Sequence, residues 1–498
     1  MKDYQELKSG SDVRGIAIEG VENEHINLTD EAIYDIVRAF VYFLHLKTNK
    51  SFFKIAIGHD SRLSASRIER VSINALIDSG VSILNCGLAT TPAMFMTTKL
   101  IGTDAAIEIT ASHLPYNRNG LKFFTPNGGL ESSEIKEILL YANDELHISG
   151  NGMVSDIDFM STYSNHLVNF VREKTNKEKP LNGLKIIVDA GNGAGGFYVK
   201  DVLEPLGANT DGSQFLEPDG YFPNHIPNPE NKEAMASISK KVKEVNADFG
   251  IIFDTDVDRA GAVDDLGEEI NRNRLIALIS AVLLEEKAGG IIVTDSLTSD
   301  GLRDFITEKG GIHHRYKRGY KNVIDESIRL NNEGKYSPLA IETSGHAALK
   351  ENYFLDDGAY LITRLLVKLS KLNDEGKKLR DLVKDLKSPY EATEIRMSFD
   401  KSIDFKAYGL SILDDLIAYA KKESWSITPN NYEGVRIDFG KDNGDGWLLL
   451  RMSLHDPIMP LNIESNIEGG TKIIASKLLK FLKNYNLLIK DNLENYLK

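Results

Sequence analysis

Short apolar runs punctuate the chain: FFKIAIG at 52–58, LKIIVDA at 184–190, FGIIF at 249–253, GIIVTD at 290–295 and YSPLAIE at 336–342. Runs of this length bounded by turn residues predict buried strands. Between them lie stretches such as RIERVSINALIDSG at 67–80 and NKEAMASISKKVKEVNA at 231–247, whose apolar positions recur three and four residues apart. That spacing predicts helices with one buried face. The alternation predicts α/β units that restart near 182 and again near 290. From about 390 the pattern changes: TEIRMSF, VRIDFG and GWLLLRMSL read as strands between turn-rich segments, and NIEGGTKIIASKLLKFLKNYNLLI as a helical end. The expected fold class is α/β, with three similar mixed α/β domains and a smaller C-terminal α+β domain. No low-complexity linker separates the parts, so they are expected to pack around a central cleft, the expected place for an active site.

Composition changes this picture little. The 498 residues exceed one core at about 100–200 residues per domain, and 42% hydrophobic with 27% charged residues is ordinary for a soluble globular protein. The net charge of −14 disfavours nucleic acid and anionic membranes as partners, so an anionic ligand needs a locally basic pocket. The single cysteine, Cys86, excludes an intrachain disulfide, and the N-terminal MKDYQELKSG lacks the apolar core of a signal peptide. No apolar run approaches the ~20 residues that span a bilayer. A cytoplasmic protein is expected, with no membrane or nucleic-acid partner.

Candidate chemistry clusters in a few stretches. DTDVDR at 254–259 places Asp254, Asp256 and Asp258 directly after an apolar strand. Three carboxylates in five residues repel one another unless compensated, and an oxygen-rich cluster suits a hard cation such as Mg²⁺ or Ca²⁺. An EF-hand needs glycine at its sixth position, where Arg259 stands. GNGAGG at 191–196 satisfies G-x-G-x-x-G through Gly191, Gly193 and Gly196, with Asp211 twenty residues beyond Gly191. It reads either as a dinucleotide fingerprint or as a Gly-rich turn from strand to helix, and the turn is the better reading. HHRYKRGYK at 313–321 brings His313, His314, Arg315, Lys317, Arg318 and Lys321 together, as a solvated basic loop, a phosphate or sugar contact or a nucleic-acid contact. ETSGHAAL at 342–349 carries Glu342, Ser344 and His346, which suit hydroxyl recognition or an ordinary polar turn. In RMSLHDPIMP at 451–460, Arg451, Ser453 and His455 alternate and would share one side of an extended backbone. They suit a phosphate cradle or an edge strand's polar face. Finally, TASHLPYNRNGLK at 110–122 sets Thr110 and Ser112 between an apolar run and turn residues.

In their order along nearly the whole chain, these stretches resemble the α-D-phosphohexomutase family, the phosphomannomutase/phosphoglucomutase group. TASHLPYNRNGLK resembles its phosphoserine loop, DTDVDR its metal loop, ETSGH its sugar loop and RMSLHDP its phosphate loop. SDVRG, IGHDSRLSA, VDAGNGAGG and PDGYFPNHIPNPE support the match. The resemblance implies four domains, each giving one loop: 1–165 the phosphoserine loop, 166–270 the metal loop, 271–388 the sugar loop and 389–498 the phosphate loop. It implies a phosphoglucomutase/phosphomannomutase of the isomerase class, acting in carbohydrate metabolism. The reaction would interconvert hexose 1-phosphate and hexose 6-phosphate, of glucose or mannose, through a hexose 1,6-bisphosphate. Ser112 would be the phosphoserine, and Asp254, Asp256 and Asp258 would hold one Mg²⁺ that also touches its phosphoryl group. Arg14, Lys122 and His346 would serve proton transfer or charge stabilisation. His113, Arg259, Lys317, Arg318, Glu342, Ser344 and His346 would line the substrate, and Arg451, Ser453 and His455 would bind its distal phosphate. Glucose 1,6-bisphosphate is the expected activator, a hexose phosphate the expected partner, and a monomer or homodimer the expected assembly. Phosphoglucosamine mutase is the nearest alternative, a non-catalytic sugar-phosphate-binding relative the alternative of another class, and NAD-dependent oxidoreduction the third.

Departures from the family pattern are specific. Leu114 replaces the usual Asn, and Thr255 and Val257 replace two glycines, which lowers the metal loop's backbone freedom. His455 and Asp456 stand where Thr and Glu are usual, and Pro460 where many members place a second Arg. The distal phosphate would then lean on His455 or on Lys317, Arg318 and Lys321.

Overall fold

The apolar runs fold as strands. In a computed structural model, which describes residues 3–400, 402–453 and 456–498, they give Lys54–His59, Ile186–Asp189, Phe249–Phe253, Ile291–Thr294 and Leu339–Ile341. The two periodic stretches give the helices Ala65–Asp78 and Lys232–Val245. The chain forms two compact units, 1–275 with 344–382, and 276–343 with 383–498.

In the first unit, the larger sheet runs Lys54–His59, Ser82–Leu88, Ala105–Ile109 and Met153–Asp156 in parallel. On one side Arg118–Thr125 pairs antiparallel with Ala105–Ile109, and Asp12–Ile16 pairs antiparallel with Arg118–Thr125. The helix Asp30–Thr48 lays Ile33, Ile36, Val37, Phe40 and Leu44 into the core beside that sheet. Each buried side chain of this kind contributes about 1.5–3 kcal/mol. Thr29 caps the helix by accepting from Ala32 N at 3.1 Å, and Asn49, at φ 56°, ends it in the left-handed region.

The smaller sheet of this unit pairs Phe249–Phe253 parallel with Ile186–Asp189 and antiparallel with Ala260–Asp264. DTDVDR is therefore a hairpin connection between buried strands, as residues 110–117 are between Ala105–Ile109 and Arg118–Thr125. GNGAGG enters a short 3₁₀ turn, Ala194–Gly196, and supports the acidic hairpin: Ala194 N donates to Thr255 O at 2.8 Å. A Cβ on Gly193 would lie 2.6 Å from the same oxygen, so the close approach of this loop demands glycine. Asp211 is exposed on a turn, its backbone N bonded to Asn209 Oδ1 at 2.8 Å.

The second unit carries the parallel strands Ile312–Arg315, Ile291–Thr294 and Leu339–Ile341. It also holds an antiparallel sheet in the order Ser426–Ile427, Val435–Phe439, Gly446–Leu450, Ile458–Ser465, Glu391–Phe399 and Leu488–Ile489. The helices Phe405–Lys422 and Gly470–Leu482 bury Ile412, Leu416, Ile474 and Leu478 in the core of that sheet. This is the α+β portion expected beyond residue 390.

One core position has a consequence for stability. Glu108, cross-strand from Lys122, is fully buried with neither carboxylate oxygen hydrogen-bonded. Burial, joined by Asp60 and Asp256 and opposed by Lys122, pushes its carboxyl well above the ordinary glutamate range. A raised carboxyl keeps in the folded state a proton that the unfolded chain releases. Its stability contribution is therefore complete below the unfolded value of about 4.3 and is lost as pH rises above it. As pH rises above that unfolded value, wild type should lose stability relative to Glu108→Gln by up to about 1.4 kcal/mol per pH unit. Thermal unfolding of both proteins across that rise in pH checks this, and parallel midpoints would contradict it.

Candidate active site

The loop that carries Ser112 is held by a buried hydrogen-bond network. Thr110 Oγ1 donates to Asp60 Oδ2 at 2.7 Å and accepts from Ser112 N at 2.8 Å. The Arg62 guanidinium donates to the carbonyls of Pro115 and Arg118 at 2.8 Å each, of Leu114 at 2.6 Å, and of Ser112. One buried fork thus gathers four carbonyls of the turn. It holds Ser112 at φ 50°, a left-handed conformation that costs a non-glycine residue about 1–3 kcal/mol. IGHDSRLSA contains Asp60 and Arg62, but sequence reasoning gave neither a role.

Ser112 Oγ donates to Asp254 Oδ2 at 3.0 Å, although the residues lie 142 positions apart, and accepts from Arg259 Nη2 at 2.9 Å. Arg259 Nε also binds Asp254 Oδ2 at 3.0 Å. Lys122 Nζ reaches Asp256 Oδ2 at 2.9 Å and Asp258 Oδ2 at 2.5 Å, and Thr91 Oγ1 donates to Asp256 Oδ2 at 2.5 Å.

These donors leave the acidic cluster incompletely compensated. Asp254, Asp256 and Asp258 are buried, one oxygen from each lies within 4.8 Å of the others, and Oδ1 of Asp256 and of Asp258 has no hydrogen-bond partner. Burial and Asp258 push the Asp254 carboxyl well up. At Asp258 burial also acts upward, but Lys122, His346 and Arg259 outweigh it and hold that carboxyl low. An all-oxygen set with two open, buried oxygens fits a hard divalent cation. Val257 sits in this turn at φ 67°, buried, where a glycine would be unstrained.

Two histidines flank the site in opposite states. Burial, then the nearby Arg259 and Arg14, pull His113 down to about 2, so its neutral Nδ1 accepts from Arg259 Nη2 at 2.5 Å. At His346 burial acts downward, but Asp356 and Asp258 outweigh it and raise the imidazole to about 9. Its Nδ1 lies 2.5 Å from Asp356 Oδ2 and 3.9 Å from Asp258 Oδ1. Arg14 is tied to Asp12 Oδ2 at 2.8 Å on the neighbouring strand Asp12–Ile16. Ser344 is buried in the turn before Ala347–Leu349. Leu114 lines a cavity of about 560 Å³ with Pro115, Tyr116, Tyr221, Phe222 and Ile226, which gives the departure from Asn an apolar environment.

The remaining candidates belong to the second unit. Glu342 accepts from Gly319 N at 2.6 Å, and Lys317 is exposed beside Arg318 in the turn before the helix Tyr320–Asn332. Lys321 pairs with Asp325 at 2.8 Å. Arg451 is buried after the strand Gly446–Leu450, its N donating to Pro460 O at 3.1 Å, and Ser453 N donates to Ile458 O at 3.0 Å. The two residues thus extend the hairpin. His455 lies outside the described residues.

Comparison with known proteins shows the family. The alpha/beta/alpha domains I, II and III of phosphoglucomutase/phosphomannomutase match residues 5–146, 161–267 and 271–390. A phosphoglucomutase of Neisseria gonorrhoeae is 30% identical over 481 residues, 96% of this chain and 97% of its own length. A phosphomannomutase/phosphoglucomutase of Pseudomonas putida is 30% identical over 418 residues, 84% of each chain. The crystal structure of a phosphoglucomutase/phosphomannomutase family protein from Burkholderia thailandensis superposes with a TM-score of 0.80 at 25% identity, over 97% of this chain and 98% of the other. Fold and relatives define the class as a mutase, an enzyme of the isomerase class. The chain belongs to the phosphoglucomutase/phosphomannomutase family. Among the described residues no helix is long and apolar enough to cross a membrane.

Proposed function

We propose that this mutase interconverts the 1- and 6-phosphates of glucose or mannose through a phosphoserine at Ser112 and a hexose 1,6-bisphosphate. The observation that carries this reading is the contact of Ser112 Oγ with Asp254 and Arg259, which joins a hydroxyl to a cluster of three buried carboxylates with open oxygens. The four loops belong to the stretches 1–165, 166–270, 271–388 and 389–498.

A hydroxyl of the sugar attacks the phosphoryl group on Ser112; the new O–P bond forms as the P–Oγ bond breaks with its electron pair going to Oγ, and the hydroxyl proton is passed on to Oγ, which leaves serine. The return step repeats this from the other end of the bisphosphate and restores phosphoserine. Such a transfer needs alignment and neutralisation of spread charge more than covalent help. Arg259, already on Oγ, and Lys122 supply fixed positive charge there. Asp254, Asp256 and Asp258 would hold Mg²⁺, which would neutralise phosphoryl charge. His346, charged and held by Asp356, suits charge stabilisation or proton donation, and Arg14 adds a further cation. His113, Glu342, Ser344, Lys317 and Arg318 would contact the sugar phosphate, and Arg451 with Ser453 and His455 its distal phosphate.

The test incubates the protein with Mg²⁺, a trace of glucose 1,6-bisphosphate as activator, and the 1-phosphate of glucose, mannose or glucosamine. Formation of the 6-phosphate of glucose or mannose is expected. Product from glucosamine 1-phosphate alone would reassign the sugar, and no product from any of them would remove the proposal.

A further inference from the structure

The proposed phosphate cradle of the second unit already holds an anion. Arg451 is buried with its Nε unpartnered, and its Nη1 faces Glu433 Oε1 at 3.9 Å, within ion-pair range but too far for a hydrogen bond. The other oxygen of Glu433 accepts from Ser296 Oγ at 2.5 Å and from Arg318 N at 3.1 Å. The next amide, Gly319 N, is taken by Glu342. Successive backbone amides opening onto a helix form a concavity suited to phosphate oxygens, and here the chain's own carboxylates fill it. Glu433, Glu394 and Asp295 all act on Arg451, as does Arg318, which sets three carboxylates against two guanidiniums.

We propose that Glu433 is a built-in anion that occupies the cradle until a sugar phosphate displaces it; this rests on the reading of Arg451 as a phosphate ligand. With Glu433 in place the local charge opposes a phosphate dianion. Its withdrawal would cancel that excess, leaving two carboxylates against two guanidiniums, and free the Ser296 hydroxyl and the Arg318 amide as donors. A sugar phosphate, which brings further contacts through its hydroxyls, can meet the cost of that displacement. Free inorganic phosphate, lacking those contacts, is held off. Glu433 thereby discriminates for substrate by competition rather than by contact with it.

Calorimetric titration of the full chain with inorganic phosphate, in Mg²⁺, tests this in wild type, Glu433→Gln, Glu433→Ala and Arg451→Gln. Glutamine keeps a carbonyl oxygen for Ser296 and Arg318 but removes the charge, and the alanine variant guards against a peculiarity of the amide. Both Glu433 variants should bind phosphate about fivefold tighter than wild type, as expected for removal of a competing ion pair. Arg451→Gln should lose this binding. Unchanged or weaker binding in both Glu433 variants, with the Arg451 loss intact, would overturn the inference and leave the phosphate site standing. Full binding in Arg451→Gln would overturn the phosphate site itself, and the inference with it.

Discussion

Ser112→Ala should lower turnover by roughly 10³-fold or more, the scale expected when a covalent nucleophile is removed. The substitution deletes one oxygen and little else. Asp254 and Arg259 remain bonded to each other at 3.0 Å once Oγ is gone, and the loop stays pinned by Thr110, Asp60 and Arg62. Alanine meets the same backbone strain at φ 50° as serine does. The unfolding midpoint should therefore stay close to that of wild type while activity collapses. Steady-state rates with glucose 1,6-bisphosphate present, beside a thermal melt, separate the two. A folded variant within tenfold of wild type would show that the phosphoryl group travels by another route.

Asp256→Asn should lower turnover at least about 100-fold, because it removes charge from the cluster proposed to hold Mg²⁺. The amide keeps the side chain's shape, but its remaining oxygen cannot serve a cation, Lys122 and Thr91 as a carboxylate does. Mg²⁺ titration by calorimetry should show the same loss as the rate. Chelation of wild-type protein should reproduce the kinetic defect, and readdition of Mg²⁺ should reverse it. Normal activity of the variant in metal-free buffer would identify Asp254, Asp256 and Asp258 as an ion-paired structural turn.

The strands and the site were unequally legible in the sequence. FGIIF predicts its strand to the residue because all five positions are buried. Asp254, Asp256 and Asp258 declare themselves by spacing, and Ser112 and Arg451 through the family resemblance. What the chain does not display is pairing between distant positions. Thr91 meets Asp256 across 165 residues and Lys122 across 134. Asp356 and Glu433 lie in unremarkable stretches, and only the tertiary contacts with His346 and Ser296 set them apart. At GNGAGG the preferred reading of a Gly-rich turn has a structural reason, the close approach of Gly193 to the backbone of Thr255. Spacing along a chain reports which residues share a face; it carries no information on which loops meet.

Peptide mass mapping of protein exposed to glucose 1,6-bisphosphate tests the central claim most directly. The account predicts a gain of about 80 Da, one HPO₃, on the peptide containing Ser112. That gain should disappear when hexose phosphate discharges it and be absent from Ser112→Ala. A phosphoryl group on a different residue, or none at all in a preparation that still turns over, would contradict it.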